Sequence, residues 1–377
     1  MILENHSPSY LTNWGRAFCG DSLSLLAALP DASVNLVLTS PPFALQREKE
    51  YGNTVQAEYV AWLGNFARLV RQKLKDDGSF VLDLGGAYEA GSPTRSLYNF
   101  RVPIHFCDDL GFHLAEDFYW HNPSKLPSPI EWVNKRKLRA KDSVNTVWWF
   151  GKTRWPKANV SNVLTEYSDR MKKLLEAPED FYTPKKRPSG HDIGKAFAKD
   201  NGGAIPSNLL QISNSESNGS YLRGCKTVGI KGHPARFPAK LPEFFIRFLT
   251  EPGDLVLDIF AGSNTTGSVA ECEGRKWIAF EERLDYLAAS SFRFFAEEAT
   301  EVEIKAAHSA ILNGQTADLR RDVFPLPPRP LQNGTVHKPA TSSQGVLVLA
   351  ESTEAVSTIT KQLSKPASYK RRLDSKS

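Results

Sequence analysis

The 377-residue chain has only four cysteines, Cys19, Cys107, Cys225 and Cys272, far apart and never spaced as Cys-x-x-Cys. That scarcity excludes a zinc framework and a disulfide scaffold. It suits a reducing cytoplasm, and buried structural thiols are the expected state of all four. No apolar run approaches the roughly 18–20 residues needed to cross a bilayer. The opening stretch, MILENHSPSYLTNWGR, lacks the basic and then apolar pattern of a secretory leader. The eight histidines are scattered, so no metal-ligand cluster is expected. The remaining composition, 41% hydrophobic and 24% charged, is that of a globular protein long enough for one large domain and an inserted module.

The net charge of +5 is modest but unevenly spread. Residues 121–240 hold 22 Lys and Arg against 10 Asp and Glu, while the rest of the chain is net acidic. Such a segment is either a solvated basic face or a surface for a polyanion such as DNA.

Short β-rich runs alternate with helical patterns. Val34–Thr39, Ser79–Leu84, Leu114–Trp120, Val144–Phe150, Asp254–Phe260 and Lys276–Phe280 are expected strands; Glu58–Leu74 and Pro242–Leu249 have apolar residues at helical spacing. The alternation predicts an α/β fold with a doubly wound, mostly parallel sheet. Between about Trp155 and Lys231 the rhythm breaks into loop-rich sequence that includes Lys185, Lys186, Arg187 and His191. It is read as an insertion carrying most of the excess positive charge. The expected organisation is therefore a catalytic part over 1–154, a recognition insertion over 155–231, a cofactor part over 232–300 and a flexible Pro-, Gly- and Ser-rich tail over 301–377, with a weak strand at Gly345–Leu349.

Two local patterns carry chemistry. In Leu257–Gly267 (LDIFAGSNTTG) a strand enters a small-residue turn and then a helix starting near Thr265 or Thr266. A turn of this kind lets a ligand approach backbone N–H groups at the carboxyl end of a strand, although an ordinary connecting loop has the same composition. Asn264 stands at a position where the chain can need a left-handed residue, which Asn tolerates. Further on, Arg275–Glu282 reads as the next strand ending in an acid.

The other pattern is Thr39-Ser40-Pro41-Pro42-Phe43 at the end of a buried strand. Two prolines stiffen the backbone and remove two donors, leaving carbonyls and the Ser40 hydroxyl directed outward. An aromatic amine is a poor nucleophile because its lone pair is delocalised into the ring. Acceptors aimed at the NH₂ group, such as Ser40 Oγ and the Pro41 carbonyl, favour a pyramidal nitrogen, and Phe43 can stack on a base removed from a duplex. A proline-stiffened strand cap is the plainer alternative.

Together these motifs resemble the amino-methyltransferases that use S-adenosylmethionine. The loop Asp258–Thr265 is similar to motif I of that family, and Ser40–Phe43 to its motif IV. The catalytic motif precedes the cofactor motif with the basic segment between them, the permuted order of the family's β group. Gly20-Asp21-Ser22 resembles motif III and His233–Pro238 resembles motif X. The resemblance spans about residues 16–295 and implies a Rossmann-like methyltransferase fold. It implies a catalytic role for Ser40, Pro41, Pro42 and Phe43. Cofactor contacts are implied from Asp21, His233, Pro234, Phe237, Asp258, Phe260, Ala261, Gly262, Ser263, Asn264 and Thr265. Glu281, with Glu282 as the alternative, would accept the ribose hydroxyls. Taken alone, Asp21 reads first as a helix N-cap.

Serine at the first motif IV position is associated in the family with N4-cytosine enzymes, and TSPPFALQREKEYGN looks like the type II members of that subset. None of the cysteines follows a proline, as the nucleophile of a cytosine-C5 enzyme would. The expected activity is methylation of N4 on a flipped cytosine in double-stranded DNA, without a metal, beside a cognate restriction endonuclease. Lys185, Lys186, Arg187, His191, Arg223 and Lys226 are the candidate DNA contacts, with a solvated surface as the alternative. N6-adenine methylation by the same site, a nicotinamide-dependent oxidoreductase using the Gly-rich turn, and a DNA-binding regulator without catalysis are the rival readings.

Overall fold

Val34–Thr39 is buried at every position, as a strand covered on both faces must be. In the computed structural model, which describes residues 3, 6–43, 56–178, 199–215 and 219–320, it lies inside a ten-stranded sheet. The described residues fall in one unit covering 1–330. The strands are β1 (Tyr10–Leu11), β2 (Gly15–Cys19), β3 (Val34–Thr39), β4 (Leu74–Leu84), β5 (His113–His121), β6 (Val144–Gly151), β7 (Leu209–Gln211), β8 (Leu255–Asp258), β9 (Lys276–Glu281) and β10 (Ala317–Asp318). Their spatial order is β10-β1-β2-β9-β8-β3-β4-β6-β5-β7. The five strands β2, β9, β8, β3 and β4 are mutually parallel, and β6 reverses direction beside β4. This is the mostly parallel α/β sheet expected from the sequence, and its two halves meet between β8 and β3.

Helices cover both faces. On one side lie α1 (Ser22–Ala27), α2 (Gln56–Lys73) and α3 (Tyr98–Asp108), which share a core with Val37, Phe80, Leu82 and Leu257. A short α4 (Asp169–Glu176) and α5 (Ser220–Val228) follow, then α6 (Lys240–Leu249), α7 (Thr265–Cys272), α8 (Leu284–Ser290) and α9 (Glu301–Leu312). Of these, α6 places Leu241, Phe245, Ile246 and Leu249 in the opposite core with Leu36, Leu38 and Val256. Successive β3 side chains thus serve opposite cores, which is the period-two alternation of a strand. Burying each of the α6 side chains is worth about 1.5–3 kcal/mol. Among the described residues no helix is long and apolar enough to cross a membrane.

Three expectations need correction. The insertion is narrower than 155–231. Leu209–Gln211 joins the main sheet beside β5, and α5 buries Tyr221 and Cys225 against Phe292 and Ile304. Residues 157–163 are also tied to the body, since the Asn159 N–H donates to the Phe248 carbonyl at 2.8 Å. Nor does the tail begin at 301. The α9 helix starts in a reciprocal capping box between Thr300 and Glu303, and β10 pairs with β1. The proposed strand at Gly345–Leu349 lies outside the described residues. Of the four cysteines only Cys225 is buried; Cys272 is exposed, and the other two are intermediate.

Candidate active site

The parallel strands all point their carboxyl ends at one cleft of about 1380 Å³, the location where open α/β sheets bind ligands. β3 delivers Ser40–Phe43, β4 delivers Asp83, β8 delivers Ile259–Ser263, and β9 ends at Glu281. All of these line the cleft. Neighbouring strands therefore bring together motifs more than 200 positions apart in sequence.

Ser40 Oγ donates to Oδ2 of Asp83 at 3.0 Å, and Asn145 Nδ2 donates to Oδ1 of the same carboxylate at 3.1 Å. Asp83 is only 6% exposed. Burial lifts its pKa to about 6 against the lowering effect of the Asn145 and Ser40 hydrogen bonds and the Lys125 charge. Because Ser40 gives its proton to Asp83, its oxygen lone pairs face outward as acceptors. The Pro42 carbonyl is taken by the Tyr59 hydroxyl at 2.8 Å. No donor among the described residues reaches the Pro41 carbonyl. Phe43 rests directly on Gly85, where an added Cβ would come within 2.5 Å of its ring. The result is two acceptors beside an aromatic plane, the set that an exocyclic amine on a flat base requires.

The adjoining half of the cleft is built for a nucleotide-like ligand. Gly262 adopts φ 51° and Asn264 adopts the left-handed conformation, also at φ 51°. Asn264 caps α7 by accepting the Gly267 N–H at 3.0 Å, so the helix begins at Thr265 as expected. Glu281 accepts the N–H groups of Gly262 at 2.8 Å and Arg283 at 3.0 Å. Burial raises its pKa. The carboxylate is fixed by the backbone while each oxygen retains a further lone pair. Asp21 lines the cleft while capping α1 through the Ser24 N–H at 2.9 Å, so the residue does what a helix cap does and still faces the ligand space. His233 packs edge-on to Tyr286 at 4.5 Å, and burial lowers its pKa, which favours the neutral ring.

Asp258 and Asn264 do not line the cleft. Asp258 is buried below it, and its oxygens accept from Thr39, Thr266 and the Phe260 N–H. The remaining residues expected at the cofactor, His233, Pro234, Phe237, Phe260, Ala261, Gly262, Ser263, Thr265, Glu281 and Asp21, all reach the cleft. The DNA candidates fare differently. Lys185, Lys186, Arg187 and His191 lie outside the described residues. Arg223 and Lys226 are exposed on α5, where Arg223 donates to the Ala296 carbonyl at 3.4 Å. Neither lines the cleft.

Sequence reasoning missed Asp83, Asn145 and Tyr59. The available signal was an acid embedded in the apolar run SFVLDL, since a buried carboxylate requires partners. It also gave most of the basic surplus to 155–231, whereas the much shorter 122–143 carries an equal surplus. Residues 155–231 carry twelve Lys and Arg against eight acids, whereas 122–143 carry six against two in under a third of the length.

Comparison with known proteins decides the assignment. The sequence matches the N6/N4 methyltransferase family of DNA methylases over residues 34–292. The chain belongs to that family. It is 67% identical over 319 residues to the type II methyltransferase M.PvuII of Proteus hauseri, covering 85% of this chain and 95% of the relative. It is 27% identical over 288 residues to M.BglII of Bacillus subtilis, covering 76% and 71%. A solved structure of the PvuII DNA methyltransferase, described as cytosine-N4-specific, superposes with a TM-score of 0.69 at 57% identity, covering 84% of this chain and 98% of that one. For this DNA methylase, the left-handed Gly262 turn beside the anchored Glu281 carboxylate fits S-adenosylmethionine. Asp21, Phe260, Glu281, Gly262, Ser263, Thr265 and His233 line the same cleft around it.

Proposed function

We propose that this methylase transfers a methyl group to N4 of a cytosine flipped out of double-stranded DNA. The observation that carries the reading is the hydrogen bond from Ser40 Oγ to the buried Asp83 carboxylate, 3.0 Å long, within the Ser-Pro-Pro-Phe motif. The similarity to a protein described as cytosine-N4-specific supports it.

Bound S-adenosylmethionine supplies an electrophilic methyl on a sulfonium, whose C–S bond breaks as the N–C bond forms. The chain holds the amine in place: Ser40 Oγ and the Pro41 carbonyl each accept one N–H, and Phe43 stacks on the ring. Two acceptors on one NH₂ draw the lone pair out of conjugation and direct it along one line, so positioning provides most of the acceleration. The methylated nitrogen then carries a positive charge and must lose a proton. Ser40 Oγ takes it while passing its own proton to Asp83 Oδ2, which is ionised above about pH 6. Asn145 holds the carboxylate in register at its other oxygen.

The basic surface contacts phosphates, so affinity falls steeply with salt. Arg223 and Lys226, with Lys185, Lys186, Arg187 and His191, are proposed DNA contacts. A restriction endonuclease acting on the same site is the proposed partner, and the cytoplasm the proposed location. The test is incubation with unmethylated DNA and labelled S-adenosylmethionine, followed by digestion to nucleosides and mass spectrometry. N4-methylcytosine is expected. N6-methyladenine would transfer the assignment to the adenine enzymes, and no transfer would return it to a binding protein.

A further inference from the structure

β5 and β6 pair as far as His121 and Val144, so residues 122–143 form an arm. β6 runs antiparallel to both β4 and β5, which places this arm at the same end of the sheet as Ser40. Its base is tied down. The Asn122 N–H donates to the Ser143 carbonyl at 2.8 Å, and the Asp142 N–H to the Ser128 carbonyl at 3.1 Å. Lys141 Nζ reaches the Pro123 and Lys125 carbonyls. On this held backbone Leu126 is 81% exposed, while Lys125 and Ser128 on either side of it line the cleft. Ile130 and Leu138 on the same arm are 61% and 59% exposed, and several exposed apolar side chains gathered beside a ligand cleft mark a contact surface where a lone one would not.

The charge identifies the occupant. Glu131 is shared between Lys135 and Arg136, and Asp142 pairs with Arg95. Lys137 and Arg139 are exposed and have no acid partner among the described residues. A second copy docking through this same arm would set six cations against six, whereas a polyanion complements them.

We propose that this arm opens the DNA duplex: Leu126 enters the space left by the departing target base, and Lys137 and Arg139 hold the flanking phosphates. The proposal rests on the reading that the target cytosine leaves the helix for the Ser40–Phe43 pocket. An apolar wedge compensates the stacking lost on extrusion without reading sequence.

The experiment compares Leu126→Ala with the unsubstituted full chain on two duplexes, one fully paired and one with an abasic site opposite the target cytosine. Single-turnover N4 methylation is the readout. The variant is expected to be roughly tenfold slower on the paired duplex and to match the unsubstituted protein on the pre-opened one. Equal rates on both duplexes, or equal slowing on both, would overturn the wedge. Lys137→Gln with Arg139→Gln is expected to reduce the slope of log affinity against log salt by about 2, and an unchanged slope would overturn the phosphate contacts. If the unsubstituted protein methylates cytosine N4 on neither duplex, the underlying function fails instead, a result distinct from any of these.

Discussion

Thr39 Oγ1 donates a 2.6 Å hydrogen bond to Oδ1 of Asp258, a residue 219 positions away. The other oxygen of Asp258 accepts from Thr266 at 2.6 Å. One buried carboxylate therefore joins the strand that presents Ser40 to the helix that follows the cofactor loop, which makes Asp258 a positioning residue and not a ligand contact. Asp258→Ala strands two hydroxyls and the Phe260 N–H in a region closed to water and is expected to cost about 2–4 kcal/mol. Thr39→Val is expected to cost about 1 kcal/mol. Denaturant unfolding measures both, and an unchanged stability for Asp258→Ala would remove the joining role.

Asp83 sets an acid limb on turnover. Its carboxyl titrates at about 6 in the fold against the ordinary 3.8. Single-turnover rates should therefore rise with pH and level off above about 6, and Asp83→Asn should lower the plateau by roughly 10²-fold and abolish the limb.

The same residue affects stability in the opposite sense. Between 3.8 and about 6 the folded protein holds a proton that the unfolded chain has released. Stability therefore falls as pH rises through that window and stays lowered above it. Asp83→Asn is expected to gain roughly 2–3 kcal/mol at pH 8 and nothing below about pH 4. Unfolding midpoints across that range test it, and a loss of stability at pH 8 would contradict it.

Gly262 is required by its conformation and by its neighbour. At φ 51° an alanine is strained, and its Cβ would lie 3.1 Å from Cε1 of His233. Gly262→Ala is expected to cost about 1–2 kcal/mol and to weaken S-adenosylmethionine binding, as read by calorimetry. Unaltered binding would place the cofactor elsewhere.

Glu281→Gln exchanges a carboxylate that caps two backbone N–H groups for an amide with one acceptor and two donors. Cofactor affinity is expected to fall roughly tenfold or more, with a smaller change in turnover at saturation. Because burial raises the pKa of Glu281, binding by the unsubstituted protein should strengthen as rising pH ionises the carboxyl, above the ordinary carboxylate range. Pull on kcat alone would point to a role in the chemical step.

How much of this was legible in the sequence depended on how local each cause is. The run VNLVLT reads as a strand because burial on both faces leaves it uniformly apolar. Asn264 reads as left-handed and Thr265 as a helix start because turn and cap preferences act within a few residues. Ser40 was legible through its prolines. β2, GRAFC, was missed because Gly15 and Arg16 dilute its apolar pattern, and Leu209–Gln211 because three residues are too few to show a period.

The sequence by itself determined six of the ten strands, the doubly wound class and the two motifs that carry the chemistry. Only the tertiary structure decided that Asp83 and Asn145 stand behind Ser40, that Asp258 joins the two motifs instead of touching the ligand, and that the arm at 122–143 overhangs the cleft. The physical reason is the order of the strands. Pairing β8 with β3, and β4 with β6, sets side chains from distant positions a hydrogen bond apart, and no pattern of neighbours along the chain records which strands will pair.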